Sequence, residues 1–293
     1  MLSKYNYFSK LKSGGLIPNK REVFCAADVC RIIESEIGCA ILTVNPIEKD
    51  FTLGIVFKVV TKNGLFFLKT HADNAECRSN LIKESHIFRI LYDDVVFCKT
   101  LEFEQRNFLF MEELCDASSS PETIMESMLE HRRKLRNHDA VSINYTFESL
   151  LEVSDSSLHH LYDNLLVNKQ IYDQCVSYFE ILKNANLETC ICHGDLSNKN
   201  IKQKGDRLIL IDWEDAFVGP VYYDFLYWLT FFDNKEHLTK ENIKKVPYDL
   251  EISIALLLLI VIVKCEISFL NNSYLNNKVS FDDRLHDVLV LGK

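Results

Sequence analysis

Apolar and polar positions along this chain follow two periods, and the switches between them divide it into elements. Val23, Ala26, Ala27, Cys30, Ile33 and Ile37 share one side of a helix expected over Glu22–Ile37, which Gly38 stops. Strand-like runs follow at Ala40–Val44, Phe51–Thr61 and Leu65–Thr70, and Lys62-Asn63-Gly64 is a hairpin turn between the last two. A helix is expected from about Asn74 to Tyr92. Strands at Val95–Glu102 and Asn107–Met111 then flank the turn Glu104-Gln105-Arg106. Cys115 to Pro121 is a Ser-rich break, and the chain reads as helical from Glu122 to about Leu187. Within that region Leu158–Leu182 is expected as one long amphipathic helix, with residues 137–155 as a connector. Two short strands, Ile201–Gln203 and Arg207–Ile211, flank Lys204-Gly205-Asp206. Helices at Tyr222–Leu229, Ser253–Phe269 and Ser280–Leu291 close the chain, while residues 1–20 form an irregular lead.

A strand-rich start and a mainly helical remainder place a lobe boundary near residue 113. The chain has 293 residues, 47% of them hydrophobic and 26% charged, enough for a large core and two lobes. A formal net charge of -9 argues against a general nucleic-acid binder and is compatible with a cationic substrate. Ten cysteines without a CxxC pair indicate neither a zinc site nor a disulfide framework, so a reducing cytoplasm is the expected setting. The start of the chain, with Lys4, Tyr5, Asn6 and Ser9, lacks the apolar core of a signal peptide. The most apolar run, Ile252–Val263, is short for a bilayer, so a buried helix is expected and no membrane span.

The densest chemistry lies in Cys192-His193-Gly194-Asp195-Leu196-Ser197-Asn198-Lys199-Asn200-Ile201, continued by Ile211-Asp212-Trp213-Glu214-Asp215. A hairpin between Asn200 and Asp212 would carry the chain out and back and leave those side chains close together. A carboxylate and an amide oxygen converging there are hard-oxygen ligands suited to Mg2+ beside substrate phosphates. Asp195 is then placed to accept a proton from an incoming hydroxyl, which completes the catalytic half of a phosphoryl-transfer site. Two further charges point the same way. Lys69 shares a strand face with Leu65 and Phe67, and Glu84 sits on the helical stripe of Leu81, Ile87, Phe88 and Leu91. Each is costly unpaired, and pairing Lys69 with Glu84 satisfies both. The alternatives are a snorkelling lysine with a stripe-edge glutamate, or Glu76 as the partner.

His193-x-Asp195-x-x-x-x-Asn200 followed by Asp212 resembles the catalytic loop and metal-binding Asp of the protein-kinase-like fold. The form His-Gly-Asp-Leu, with Ile-Asp-Trp-Glu where protein kinases have Asp-Phe-Gly, resembles the aminoglycoside phosphotransferase and choline kinase superfamily. Gly219-Pro220 and Asp224 also match that family's pattern. The resemblance implies a two-lobed α+β protein: a small β-rich nucleotide-binding lobe over residues 1–112 and a larger, mainly helical catalytic and acceptor-binding lobe over 113–293. It implies ATP or GTP as co-substrate, Mg2+ held by Asn200 and Asp212, and Asp195 as catalytic base. Lys69 with Glu84 would position the phosphates. Thr52 to Ile55, with the lone Gly54, would cover the phosphates or be a plain hairpin. Met111 would line the adenine pocket and the backbone of Glu112 to Leu114 would bind the adenine edge. Asp224 would brace the catalytic loop, and His193 would be an architectural hydrogen-bonding residue.

The acceptor side stays open. Tyr223, Tyr227, Trp228 and Phe231 either pack the core or shape an acceptor site, and an aromatic face can hold a quaternary ammonium. Glu214 and Asp215 could face a cationic acceptor, and Asp282-Asp283 is either an acceptor contact or a helix start. The basic group His131, Arg132, Arg133, Lys134 and Arg136 is either a solvated face or a dock for an anion. The expected activity is phosphoryl transfer to a small-molecule hydroxyl of the aminoglycoside, choline/ethanolamine or sugar type. The alternatives are a non-catalytic nucleotide-binding protein and, disfavoured by the lack of an activation segment ending like Ala-Pro-Glu, a protein kinase.

Overall fold

A computed structural model of the chain describes residues 41–47, 54–71, 75–103, 106–136, 143, 145–276 and 278–293, with Ala27, Cys30, Arg31, Ile33, Glu34, Gly38 and Ala40. Strands Ile41–Ile47 (β1), Gly54–Thr61 (β2), Gly64–His71 (β3), Cys98–Phe103 (β4) and Arg106–Glu112 (β5) form an antiparallel sheet in the order β1-β2-β3-β5-β4. The β2–β3 turn is locked by Thr61, whose hydroxyl donates to the Gly64 carbonyl at 3.1 Å and accepts the Asn63 N–H at 3.0 Å. Pro46 lies on the edge strand β1, the position in a sheet that tolerates a missing donor. Phe57, Val59, Leu68, Leu101, Phe108 and Phe110 make a core of their own on one face of this sheet, together with Ile33. Of the expected helix at 22–37, Ala27, Cys30, Arg31, Ile33 and Glu34 are helical, and its other positions lie outside the described residues.

Helix Ala75–Tyr92 (α1) lies between this sheet and the rest of the chain; Ile87, Phe88, Leu91 and Tyr92 belong to the second, larger core. The Val95 and Val96 N–H groups both bond the Tyr92 carbonyl, so those residues finish the helix and β4 begins at Cys98, later than the expected Val95. Helix Pro121–Leu135 (α2) starts inside the expected break. Ser120 caps it in a reciprocal box with Thr123, and Pro121 takes the first turn, where its missing N–H costs nothing.

The single helix expected over Leu158–Leu182 is two, Phe147–Asp163 (α3) and Lys169–Asn184 (α4), so much of the expected connector at 137–155 is helical. The break is chemical. Asn164 caps α3, Leu165 adopts a left-handed backbone with φ 60, and the Asn168 side chain accepts the Ile171 N–H to start α4. Apolar periodicity runs through such a corner because both helices bury the same face type.

Short strands connect the lobes to the candidate chemistry. Cys115–Asp116 (β6), Ile201–Lys204 (β8) and Arg207–Leu210 (β9) form one sheet in that order, and Thr189–Cys192 (β7) pairs with Phe217–Pro220 (β10). Neither β6 nor β10 was expected; each is too short to show alternation. Helices Tyr223–Leu229 (α5), Lys240–Ile243 (α6), Leu250–Leu270 (α7) and Phe281–Leu289 (α8) complete the order. Helix α7 exceeds the expected apolar run and is long and apolar enough to cross a bilayer, but most of it is buried within the protein. It packs against α3, α4, α5 and α8. Ser253 to Val263 are all buried, and apolar all round is what a helix at the centre of a core requires.

Of the basic group on α2, Arg133 and Arg136 are exposed, while His131, Arg132 and Lys134 are engaged within the protein. Arg132 pairs with Glu188, Arg133 donates to the Leu129 carbonyl, and Lys134 donates to the Leu91 carbonyl at 2.8 Å. His131 is buried, edge-on to the Tyr92 and Trp213 rings, with Nε2 2.8 Å from the Tyr92 hydroxyl. That hydroxyl accepts the Leu210 N–H at 2.9 Å, which leaves its own proton for the imidazole. Burial pushes the His131 pKa down to about 3. The unfolded chain therefore binds a proton at this residue that the folded chain refuses, and stability falls as pH drops from about 6.5 towards 3. In urea unfolding across that range, His131→Gln, which still accepts from Tyr92, should show a shallower fall than the parent chain.

Candidate active site

The loop that carries Asp195 leaves β7 at Cys192 and is held from below by a carboxylate. Asp224, buried in the first turn of α5, accepts the His193 N–H at 2.7 Å on Oδ2 and the Gly194 N–H at 3.0 Å on Oδ1. Burial raises the Asp224 pKa, and His193 with the two backbone donors opposes that rise. His193, fully buried, lies 2.8 Å through Nε2 from the Ile211 carbonyl and accepts the Asp195 N–H on Nδ1 at 3.3 Å. It thus ties the loop to the strand that ends in Asp212. Gly194 has φ +86, and a Cβ there would stand 2.3 Å from the Asp215 carbonyl oxygen, so only glycine lets the two loops meet.

Asp195 emerges half-buried from this support. The Tyr227 hydroxyl donates to its Oδ1 at 2.8 Å, and the Asn200 amide donates to its carbonyl at 2.9 Å. Committing the Asn200 nitrogen in this way turns its amide oxygen to the other side. The Ile211 N–H bonds the Asn200 carbonyl at 2.9 Å, so the β8–β9 hairpin returns the chain beside Asn200, and Asp212 follows at once. Asp212 has a left-handed backbone, φ 69 and ψ 54, a region Asp tolerates better than most residues. Trp213 is buried behind it, against His193, with Nε1 bonded to the Leu210 carbonyl.

Lys69 and Glu84 do meet. The Lys69 ammonium stands 2.7 Å from Glu84 Oε2, 2.5 Å from Asp212 Oδ1 and 3.4 Å from Glu214 Oε2. Burial works against its charge, yet Asp212, Glu214 and Glu84 together hold its pKa well above the usual lysine value. Burial likewise pushes Glu84 up to about 7 against the pull of Lys69, with Asp212 and Glu214 adding to the rise. Oxygens of Glu84, Asp212 and Glu214 lie within 4.8 Å of one another, a hard-oxygen donor set of the kind a divalent cation takes. Asp212 is the outermost of the three, with its side chain 30% exposed against 4% and 11% for Glu84 and Glu214.

Three features lay beyond the sequence reading. Glu214 turns towards Lys69 instead of an acceptor. Lys83, buried beside Glu84 on α1, donates to the Ala216 carbonyl at 2.9 Å, and burial lowers its pKa to about 8. Tyr227, expected either to pack the core or to shape an acceptor site, gives its hydroxyl to Asp195; its spacing of three from Asp224 puts both on one face of α5 and so near the same loop. Trp228 does pack, donating to Asn198 Oδ1 at 2.7 Å. Asp282 accepts from Asn168 at the start of α4, and Asp283 closes the Ser280 cap of α8.

The nucleotide side is partly described. Gly54 begins β2 opposite His71, whereas Thr52 lies outside the described residues. Met111, Glu112 and Leu114 are half-buried where β5 runs out. The Glu112 N–H bonds the Phe97 carbonyl at 3.1 Å and the Glu113 N–H bonds the Leu65 carbonyl at 2.9 Å, so those two amides are engaged. The Glu112 carboxylate reaches Lys204 on β8.

The model of the phosphotransferase enzyme family (APH) matches residues 56–239, more than half of the chain. This chain belongs to the phosphotransferase enzyme family. Its fold resembles spectinomycin phosphotransferase APH(9)-Ia solved with ADP and spectinomycin, at 11% identity and TM-score 0.59 over 92% of this chain and 94% of that one. It also resembles choline kinase LicA from Streptococcus pneumoniae, at 15% identity and TM-score 0.57 over 90% and 97% of the two chains. A thermostable variant of aminoglycoside phosphotransferase APH(4)-Ia, in ternary complex with AMP-PNP and hygromycin B, matches at 12% identity and TM-score 0.60 over 90% and 98%. No curated protein sequence matches this one significantly. The protein-kinase-like α+β fold expected from the motif is therefore the fold of this phosphotransferase.

In this phosphotransferase Asp224 accepts from two backbone donors, which an amide oxygen cannot replace, since Asn would turn its NH2 against one of them. Asp224→Asn should cost about 1–3 kcal/mol of stability in urea unfolding, the scale of one unsatisfied buried donor.

Proposed function

We propose that this phosphotransferase moves the γ-phosphoryl group of ATP or GTP to a hydroxyl of a small molecule of the aminoglycoside, choline/ethanolamine or sugar type. The observation that carries this reading is the Lys69 ammonium set between Glu84 and Asp212, with Asp195 presented by a braced loop beside them. Likeness to proteins solved with ADP or AMP-PNP, and with spectinomycin or hygromycin B, supports both a nucleotide and a small acceptor.

On this reading residues 1–112 form the nucleotide lobe and 113–293 the catalytic and acceptor lobe. Glu84 orients Lys69, whose ammonium bonds the phosphate oxygens. Thr52 and Gly54 cover the phosphates, and Met111 with the backbone from Glu112 to Leu114 takes the adenine. With the Glu112 and Glu113 amides engaged, that edge falls to Leu114 and the hinge carbonyls. Asp195 orients the acceptor hydroxyl and takes its proton, while Tyr227 holds the other end of the carboxylate in place. The Asp212 carboxylate and the Asn200 amide oxygen are hard-oxygen donors suited to Mg2+, which they would hold and which, when bound, would neutralise phosphate charge. Most of the acceleration is then positioning and electrostatic stabilisation.

The test is Mg2+-dependent ADP release from ATP and GTP with choline, ethanolamine, aminoglycosides, sugars and amino-acid alcohols as acceptors. Asp195→Asn should lower kcat by about 10²–10⁴-fold while leaving nucleotide affinity near that of the parent. Lys69→Met should weaken nucleotide binding. A parent chain that binds neither ATP nor GTP would sink the proposal.

A further inference from the structure

Beside Asp195 lies an aromatic pair of the kind that holds alkylammonium groups, and the chain's own lysine occupies it. Lys264 comes from α7, otherwise a run of apolar residues at this point, and its Nζ stands 3.7 Å from the centre of the Tyr227 ring and 3.4 Å from that of Phe231. The amine is anchored as well as caged. It donates to the Thr230 hydroxyl at 2.6 Å and to the Tyr227 carbonyl at 3.3 Å. The same Tyr227 gives its hydroxyl to Asp195 Oδ1, so one tyrosine separates the amine from the carboxylate that faces the acceptor. Burying a lysine costs free energy that a leucine at this position would avoid. Burial pulls the Lys264 pKa well below its usual value, and attraction to Asp195 opposes that fall. The Arg284 guanidinium adds to the fall, while two ring faces and two oxygen acceptors favour the ammonium form. The box is filled in either protonation state.

We propose that Lys264 sets acceptor specificity: by filling the Tyr227–Phe231 box it shuts out alkylammonium acceptors and offers an N–H donor to an acceptor that presents oxygen, as a hydroxyl or a carboxylate. An ammonium has three N–H groups, and Thr230 and Tyr227 take two, which leaves the third for that oxygen. The proposal rests on the reading of Asp195 as the group that faces the acceptor. It divides the acceptor classes of that reading, keeping sugar-like and acidic hydroxyl compounds and removing choline.

Choline titrated into the parent chain and into Lys264→Ala, followed by calorimetry with and without AMP-PNP, tests the box directly. Lys264→Ala should bind choline at least about tenfold more tightly than the parent, the scale of a cation held by two aromatic faces. Lys264→Met, which refills the box without charge, should stay as insensitive to choline as the parent. Equal choline affinity in parent and Lys264→Ala overturns the proposal, and so does choline binding by Lys264→Met equal to that of Lys264→Ala. The parent chain gives a further arm that needs no variant: ADP release stimulated by glucose or gluconate and not by choline is expected, and stimulation by choline overturns it. Glucose against gluconate distinguishes a hydroxyl from a carboxylate as the oxygen source. The binding arm requires no turnover, so it is decided separately from the phosphotransfer reading, which fails instead if AMP-PNP binds none of the three chains.

Discussion

One ammonium holds together the parts of this protein that carry chemistry. Lys69 belongs to the sheet, Glu84 to α1, and Asp212 and Glu214 to the turn after β9, and all three acids stand within ion-pair reach of it. Three carboxylates cannot crowd together in a partly dry site without a cation among them. Lys69 therefore does more than pair with one residue, since it makes the approach of the sheet to the β8–β9 hairpin electrostatically tolerable. Lys83, bonded to the Ala216 carbonyl on the same side, adds a second positive charge next to Glu84. The arrangement is poised, with negative groups in excess and one of them exposed.

The loop that presents Asp195 is rigid for a different reason. Its amides are taken by Asp224, its imidazole by the Ile211 carbonyl, and its glycine by the nearness of the Asp215 carbonyl. Each contact joins residues far apart in the chain, and each uses a backbone group on at least one side. Such a loop keeps its shape whatever surface residues surround it, which suits a frame that serves different acceptors.

What could be read beforehand follows from the range of the forces involved. The β2–β3 hairpin was legible because Asn63-Gly64 acts over four residues, and the Lys69–Glu84 pair because each charge lay on an apolar stripe and needed a partner. The break between α3 and α4 was hidden, since Asn164 and Asn168 look ordinary inside a strong apolar period and only the left-handed Leu165 shows the corner. Strands β6 and β10 were invisible because their partners supply the pairing, from Lys202–Gln203 and from β7. Within the site, Lys264 was missed for a related reason, as was the bond from Tyr227 to Asp195. Nothing local marks Lys264, because the rings that enclose it, Tyr227 on α5 and Phe231 just after it, lie more than thirty residues earlier.

Helix α7 has a consequence for how this chain comes into being. The loop that carries Asp195 and its Asp224 support are complete by residue 224, but the apolar column against which α3, α4 and α5 pack spans Leu250–Leu270. On a ribosome that segment emerges after all three helices. Until it does, the faces of those helices that pack on it stay wet, and the growing chain exposes apolar surface for the time taken to add those residues. The segment that supplies the central column thus also covers the apolar faces through which the nascent protein is most prone to aggregate.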